Sequence, residues 1–69
     1  MNLTIREEQV ISLIAAGMRN DEIAGCMGVS IRTVHAHLTN IYNKLGVSNR
    51  SAALVSYIKQ GGNPFKSVA

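Results

Sequence analysis

The 69-residue chain contains no tryptophan, one phenylalanine, one proline and one cysteine, and each shortage removes a class of protein. A lone Cys26 allows neither an internal disulfide nor a cysteine-rich zinc site. Its apolar neighbours predict a partly buried thiol without a redox role. No apolar run approaches the ~20 residues of a membrane span, and the opening MNLTIREEQ lacks the basic and apolar regions of a secretory signal, so a cytoplasmic protein is expected. Acidic residues are also missing where it matters. Glu7, Glu8, Asp21 and Glu22 are the whole set, and beyond Glu22 come Arg32, Lys44, Arg50, Lys59 and Lys66 with no carboxylate side chain between them.

A formal net charge of +3 distributed in this way attracts polyanions without local repulsion. A membrane surface would call for a denser Lys/Arg face opposite bulky Trp, Phe or Leu, whereas here the cations are spaced singly. Nucleic acid is the favoured partner. Catalysis is not expected, because the acids cluster near helix starts and no Gly-rich phosphate loop or nucleophile-base pair is present. At this length the chain is one domain burying roughly 60% of its unfolded surface. That leaves room for a fold and one binding face.

The pattern predicts an all-α, compact four-helix domain over residues 1–61, followed by a flexible C-terminal tail, 62–69. Thr4 and Glu7 have the S/T-x-x-E spacing of a capping box, with Leu3 before it as a hydrophobic staple. Val10, Ile11, Leu13 and Ile14 build the first helix, which Gly17 ends. Asn20 is expected to cap the second helix, where Asp21 and Glu22 complement its dipole. Ile23, Ala24 and Met27 give that helix an apolar face, and the small Ala24 permits close crossing by the next helix. Gly28-Val29-Ser30 then supplies a turn in which Gly28 adopts positive φ and Ser30 caps the third helix. Helix three runs from about Ile31 to Leu45 and stops at Gly46. Asn49 caps a fourth helix that reaches roughly Gln60.

Helices two and three with their tight turn have the layout of a helix-turn-helix. Val34, His37, Leu38, Ile41 and Leu45 recur at helical spacing and face inward. Arg32, His35, Ala36, Thr39, Asn40 and Asn43 occupy the other side, and none is acidic. His35 and His37 are about 200° apart on the helix, so one faces out while His37 is read as a core histidine with a hydrogen bond. The same geometry argues against a metal site, and no cofactor is expected.

Several blocks together, Leu3-Thr4-x-Arg6-Glu7, Gly17, Glu22-Ile23-Ala24, Val29-Ser30-x-x-Thr33-Val34-x-x-His37, Lys44-Leu45-Gly46-Val47 and Arg50-x-x-Ala53, resemble the LuxR-type helix-turn-helix domain, also called the GerE or NarL/FixJ class. The resemblance covers residues 3 to about 61. It implies a bacterial transcriptional regulator, or the DNA-binding domain cut from one, whose third helix enters the major groove and whose fourth helix commonly supplies a dimer contact. Two positions depart from the family pattern: Gln9 replaces its usual Glu, and Asp21 replaces a frequent Lys.

On that footing His35, Ala36 and Thr39 are the expected base-contacting residues, joined by Asn40 if the helix lies deep. His35 can donate or accept at a purine N7, Thr39 can hydrogen-bond several bases, and Ala36 can pack on a thymine methyl. Phosphate contacts are assigned to Arg32, Thr33 and Lys44, assisted by Tyr42 and by backbone N–H groups at the starts of helices two and three. For Lys44 the alternative is a cation complementing the helix dipole. For Arg50 the alternatives are phosphate and an ion pair with Glu7.

Ala53, Leu54, Tyr57 and Ile58 are expected to pack inward on the fourth helix. Ala52, Val55 and Lys59 remain outside as a small surface for a weak homodimer. Double-stranded DNA is the expected partner and RNA polymerase a candidate one, with nucleoid association when DNA is bound. The rival function is a protein-interaction module that heterodimerises with a larger regulator through the fourth helix.

Overall fold

The computed structural model describes residues 3–61, so the expected tail at 62–69 lies outside the described residues. Four α-helices succeed one another: α1 Ile5–Ala15, α2 Asn20–Met27, α3 Ile31–Leu45 and α4 Arg50–Lys59. No strand occurs among the described residues, and the architecture is the all-α helix-turn-helix arrangement.

α1 begins with a reciprocal cap. The Glu7 N–H donates to Thr4 Oγ1 at 3.1 Å and the Thr4 N–H donates to Glu7 Oε1 at 3.0 Å, which satisfies two amide donors that an open helix end would leave unpaired. Leu3 packs on the core just outside this cap. α1 closes when the Gly17 N–H bonds Ile14 O at 2.9 Å and the Met18 N–H bonds Leu13 O at 3.1 Å.

The start of α2 differs from the sequence expectation. The cap position is Arg19 rather than Asn20, and the Glu22 carboxylate reaches back to accept the Arg19 N–H at 2.8 Å. Asn20 Oδ1 instead accepts from the Arg50 guanidinium. With its oxygen so engaged, Asn20 becomes the first residue of the helix.

Between α2 and α3, Gly28 sits at φ 69 and ψ 34, a left-handed conformation that side chains with a Cβ disfavour. The Val29 N–H bonds Ala24 O at 3.0 Å, and the Thr33 N–H then donates to Ser30 Oγ at 3.1 Å. One helix is thus ended and the next capped within three residues, which fixes the angle between them.

The core draws on all four helices. Ile11, Ile23, Val34 and Ile41 are fully buried at its centre, with Ala24 at the α2–α3 crossing and Ala53 and Tyr57 closing it from α4. Three inward placements expected from sequence are revised. Ile58 is 51% exposed, because Ala53 and Tyr57 face the core and Ile58, one residue on, turns away. His37 is half-buried at the edge of the α3 stripe, not inside it. Cys26 is exposed, since Ile23 and Ala24 take the inward face of α2 and leave Cys26 off it.

Candidate nucleic-acid interface

α3 is the candidate for the interface because its two sides differ in chemistry. Val34, Leu38 and Ile41 are buried, while Arg32, His35, Ala36, Thr39, Asn40 and Asn43 are all exposed. Ser30 and the left-handed Gly46 fix the two ends of the helix. The last turn is held further by the Val47 N–H, which returns to Tyr42 O at 3.0 Å. His35, Ala36, Thr39 and Asn40 are therefore presented together on one rigid surface. Asn43 shares that surface, although the sequence alone does not put it among the residues expected to touch DNA. Its signal in the sequence is its place on the same polar side.

Residues assigned to phosphate fall into different environments. Arg32 is exposed, and among the described residues its side chain has no hydrogen bond or ion pair. Thr33 is half-buried with its hydroxyl 3.1 Å from Ser30 Oγ. Tyr42 is half-buried against the core. Lys44 donates to Glu7 Oε1 at 2.7 Å, with the carboxylate side chain only 4% exposed. Arg50 bonds Asn20 Oδ1 and also donates to Met18 O at 2.8 Å. Thus Glu7 pairs with Lys44, and the ion pair of Arg50 with Glu7 considered from the sequence does not form.

Carboxylates across the domain are answered locally. Burial raises the Glu7 carboxyl, but the Lys44 hydrogen bond, the Thr4 N–H and the nearby charges of Lys44 and His37 outweigh it and hold Glu7 below its ordinary value. Glu8 accepts the Tyr57 hydroxyl at 3.1 Å. Burial, together with that bond and the charge of Glu8, raises the Tyr57 hydroxyl. Asp21 is lowered chiefly by its hydrogen bond from Arg19, 3.2 Å away. With the acids engaged elsewhere, the exposed face of α3 is left neutral to positive.

On α4, Val55 is half exposed, Lys59 is exposed and Ala52 is half-buried. Exposed Ile58 enlarges the apolar patch beyond the set expected from sequence. Among the described residues no group of three or more His, Cys, Asp or Glu could hold a metal, and no helix is long and apolar enough to cross a membrane.

The sequence family described as "Bacterial regulatory proteins, luxR family" matches residues 1–57. The chain belongs to this GerE/LuxR family. The family is one of DNA-binding transcriptional regulators, so this is a DNA-binding helix-turn-helix domain and not an enzyme. It is 42% identical over 62 residues to a probable transcriptional regulatory protein, SgaR, of Hyphomicrobium methylovorum, covering 90% of this chain and 29% of that protein. It is 48% identical over 52 residues to the HTH-type transcriptional regulator MalT of Serratia proteamaculans (strain 568), covering 75% of this chain and 6% of that protein. Among solved structures it is similar to the response regulator ChrA of a heme-sensing two-component system, with TM-score 0.85, 36% identity and coverage of 88% of this chain and 30% of that one. It is also similar to phage VqmA, solved as a complex with DPO, with TM-score 0.80, 32% identity and coverage of 94% and 29%. The chain spans less than a third of the length of each of these proteins.

Proposed function

We propose that this LuxR-family domain binds a specific double-stranded DNA sequence by laying the exposed face of α3 in the major groove, and that it does so as part of transcriptional control in the cytoplasm, at the nucleoid. The observation that carries this reading is the joint exposure of His35, Ala36, Thr39 and Asn40 on a helix whose opposite side is buried. His35 and Thr39 offer hydrogen bonds to base edges, Ala36 fits a thymine methyl, and Asn40 adds an amide.

Phosphate attraction rests first on Arg32, with the Thr33 and Tyr42 hydroxyls and the backbone N–H groups at the starts of α2 and α3 as neutral donors. Lys44 and Arg50, each already bonded within the domain, act on DNA mainly by holding α3 and α2 in place. Two copies associate weakly through Ala52, Val55, Ile58 and Lys59 of α4, each taking one half-site.

The same α4 patch keeps open a second reading, in which the domain pairs with a larger regulator, and RNA polymerase is a further candidate partner. The deciding experiment compares the His35→Ala/Thr39→Ala double variant with the native chain in DNA binding and in α4-mediated association. Loss of DNA binding with association intact supports the groove reading. Unchanged DNA binding overturns it.

A further inference from the structure

Four asparagines lie among the described residues, and they divide into two kinds. Asn49 Oδ1 accepts the Ala52 N–H at 2.8 Å as the cap of α4, and Asn20 Oδ1 accepts from Arg50. Asn40 and Asn43 stand in the body of α3, exposed, with no side-chain hydrogen bond among the described residues. Asparagine is a weak helix former because its side chain competes for backbone groups. Nothing among the described residues repays its presence at Asn43. A residue that opposes its local structure without compensation inside the molecule is expected where a ligand supplies the missing partner.

We propose that Asn43 is a specificity-determining residue that reads an adenine at the outer edge of each half-site. The assignment rests on the groove reading given above. At about 100° per residue, Asn43 lies within about 20° of Ala36 around α3, at the middle of the exposed face. A short side chain there points at the floor of the groove and not at the phosphate walls. The rise of about 1.5 Å per residue sets it about 10.5 Å further along the helix, or about three base-pair steps of 3.4 Å. Its carboxamide matches adenine in the major groove: Nδ2–H donates to N7 while Oδ1 accepts from the N6 amino group.

The neighbouring residue supplies the rigidity that such reading needs. Lys44 is tied to Glu7 Oε1 at 2.7 Å, and the Gly46 turn closes the helix behind it, so the last turn of α3 cannot fray away from the DNA.

The test is selection from randomised duplex DNA with the native chain, Asn43→Ala and Asn43→Gln, combined with affinity measurements on the selected site. Alanine improves helix propensity, so the variant keeps the fold. The native chain should enrich adenine at one outer position per half-site, about three base pairs from the one met by Ala36. Asn43→Ala should lose that enrichment alone and bind the selected site about 5- to 100-fold more weakly. On a site with the adenine replaced, the native chain and Asn43→Ala should bind alike, and Asn43→Gln should restore part of the adenine preference. Uniform weakening of Asn43→Ala on every site, as for a phosphate contact, overturns the assignment, as does an unchanged selection. A native chain that selects no sequence at all overturns the groove reading and this assignment together.

Discussion

Glu7 Oε1 lies 2.7 Å from Lys44 Nζ, joining the first turn of α1 to the last turn of α3 across 37 residues of sequence. The same oxygen accepts the Thr4 N–H at 3.0 Å, so one carboxylate both caps α1 and anchors the last turn of α3. Lys44→Met would leave that buried carboxylate without its cation. The Lys44 side chain is 34% exposed, and solvent screening reduces the cost from that of a fully buried pair to about 1–2 kcal/mol. Urea unfolding at neutral pH should show this loss, with part of it recovered in the Glu7→Gln/Lys44→Met double variant.

Acid should unfold the native chain through the same group. Glu7 has its carboxyl held below its ordinary value in the fold, so its contribution is fully present above the unfolded value of about 4.3. It is lost as pH falls through the lower folded value. Glu7→Gln should therefore show a shallower fall in stability below about pH 4, measured by urea unfolding across a pH series.

At the alkaline end the sign reverses. Tyr57 is raised by burial and by its bond to Glu8, so it stabilises the fold below the unfolded tyrosine value of about 10 and loses that effect as pH climbs through the higher folded value. Tyr57→Phe should cost about 1 kcal/mol at pH 7. The difference between native and variant chains should shrink at strongly alkaline pH in the same unfolding measurement.

Gly28→Ala should cost about 1–2 kcal/mol, the penalty for a Cβ in the left-handed region. Beyond Gly28 and its two chain neighbours, nothing lies within 4 Å of where that Cβ would stand, so the loss is conformational. Asparagine at the same position should cost less, and the order Gly, Asn, Ala in thermal stability would confirm the origin.

Salt dependence separates the cations. Arg32→Ala should flatten the slope of log affinity against log salt by about 0.9 per copy, the value for one phosphate contact. Lys44→Met should weaken binding while leaving the slope nearly unchanged. Equal flattening by both variants would return Lys44 to the phosphate contacts.

Local chemistry makes much of the fold legible in the sequence. The Thr4/Glu7 box, the Gly28 to Ser30 turn, the α3 boundaries and the Asn49 cap all involve partners within a few residues, where spacing alone determines who can meet. The pairs Lys44–Glu7 and Arg50–Asn20 are 37 and 30 residues apart. They depend on how helices pack, which no periodicity encodes. Ile58 escapes a sequence reading for a related reason: α4 is apolar on more than one side, so its pattern does not say which side the core will take. On α3, where the polar and apolar sides separate cleanly, exposure of His35, Ala36, Thr39 and Asn40 can be read directly.

The decisive measurement is disulfide crosslinking to duplex DNA that carries a thiol-tethered base in the major groove, in a Cys26→Ser background that removes the native thiol. With α3 in the groove, Thr39→Cys crosslinks to the modified base within the selected site, and Val55→Cys on α4 does not. Crosslinking through Val55→Cys, with Thr39→Cys inert, would place a different face of the domain on DNA.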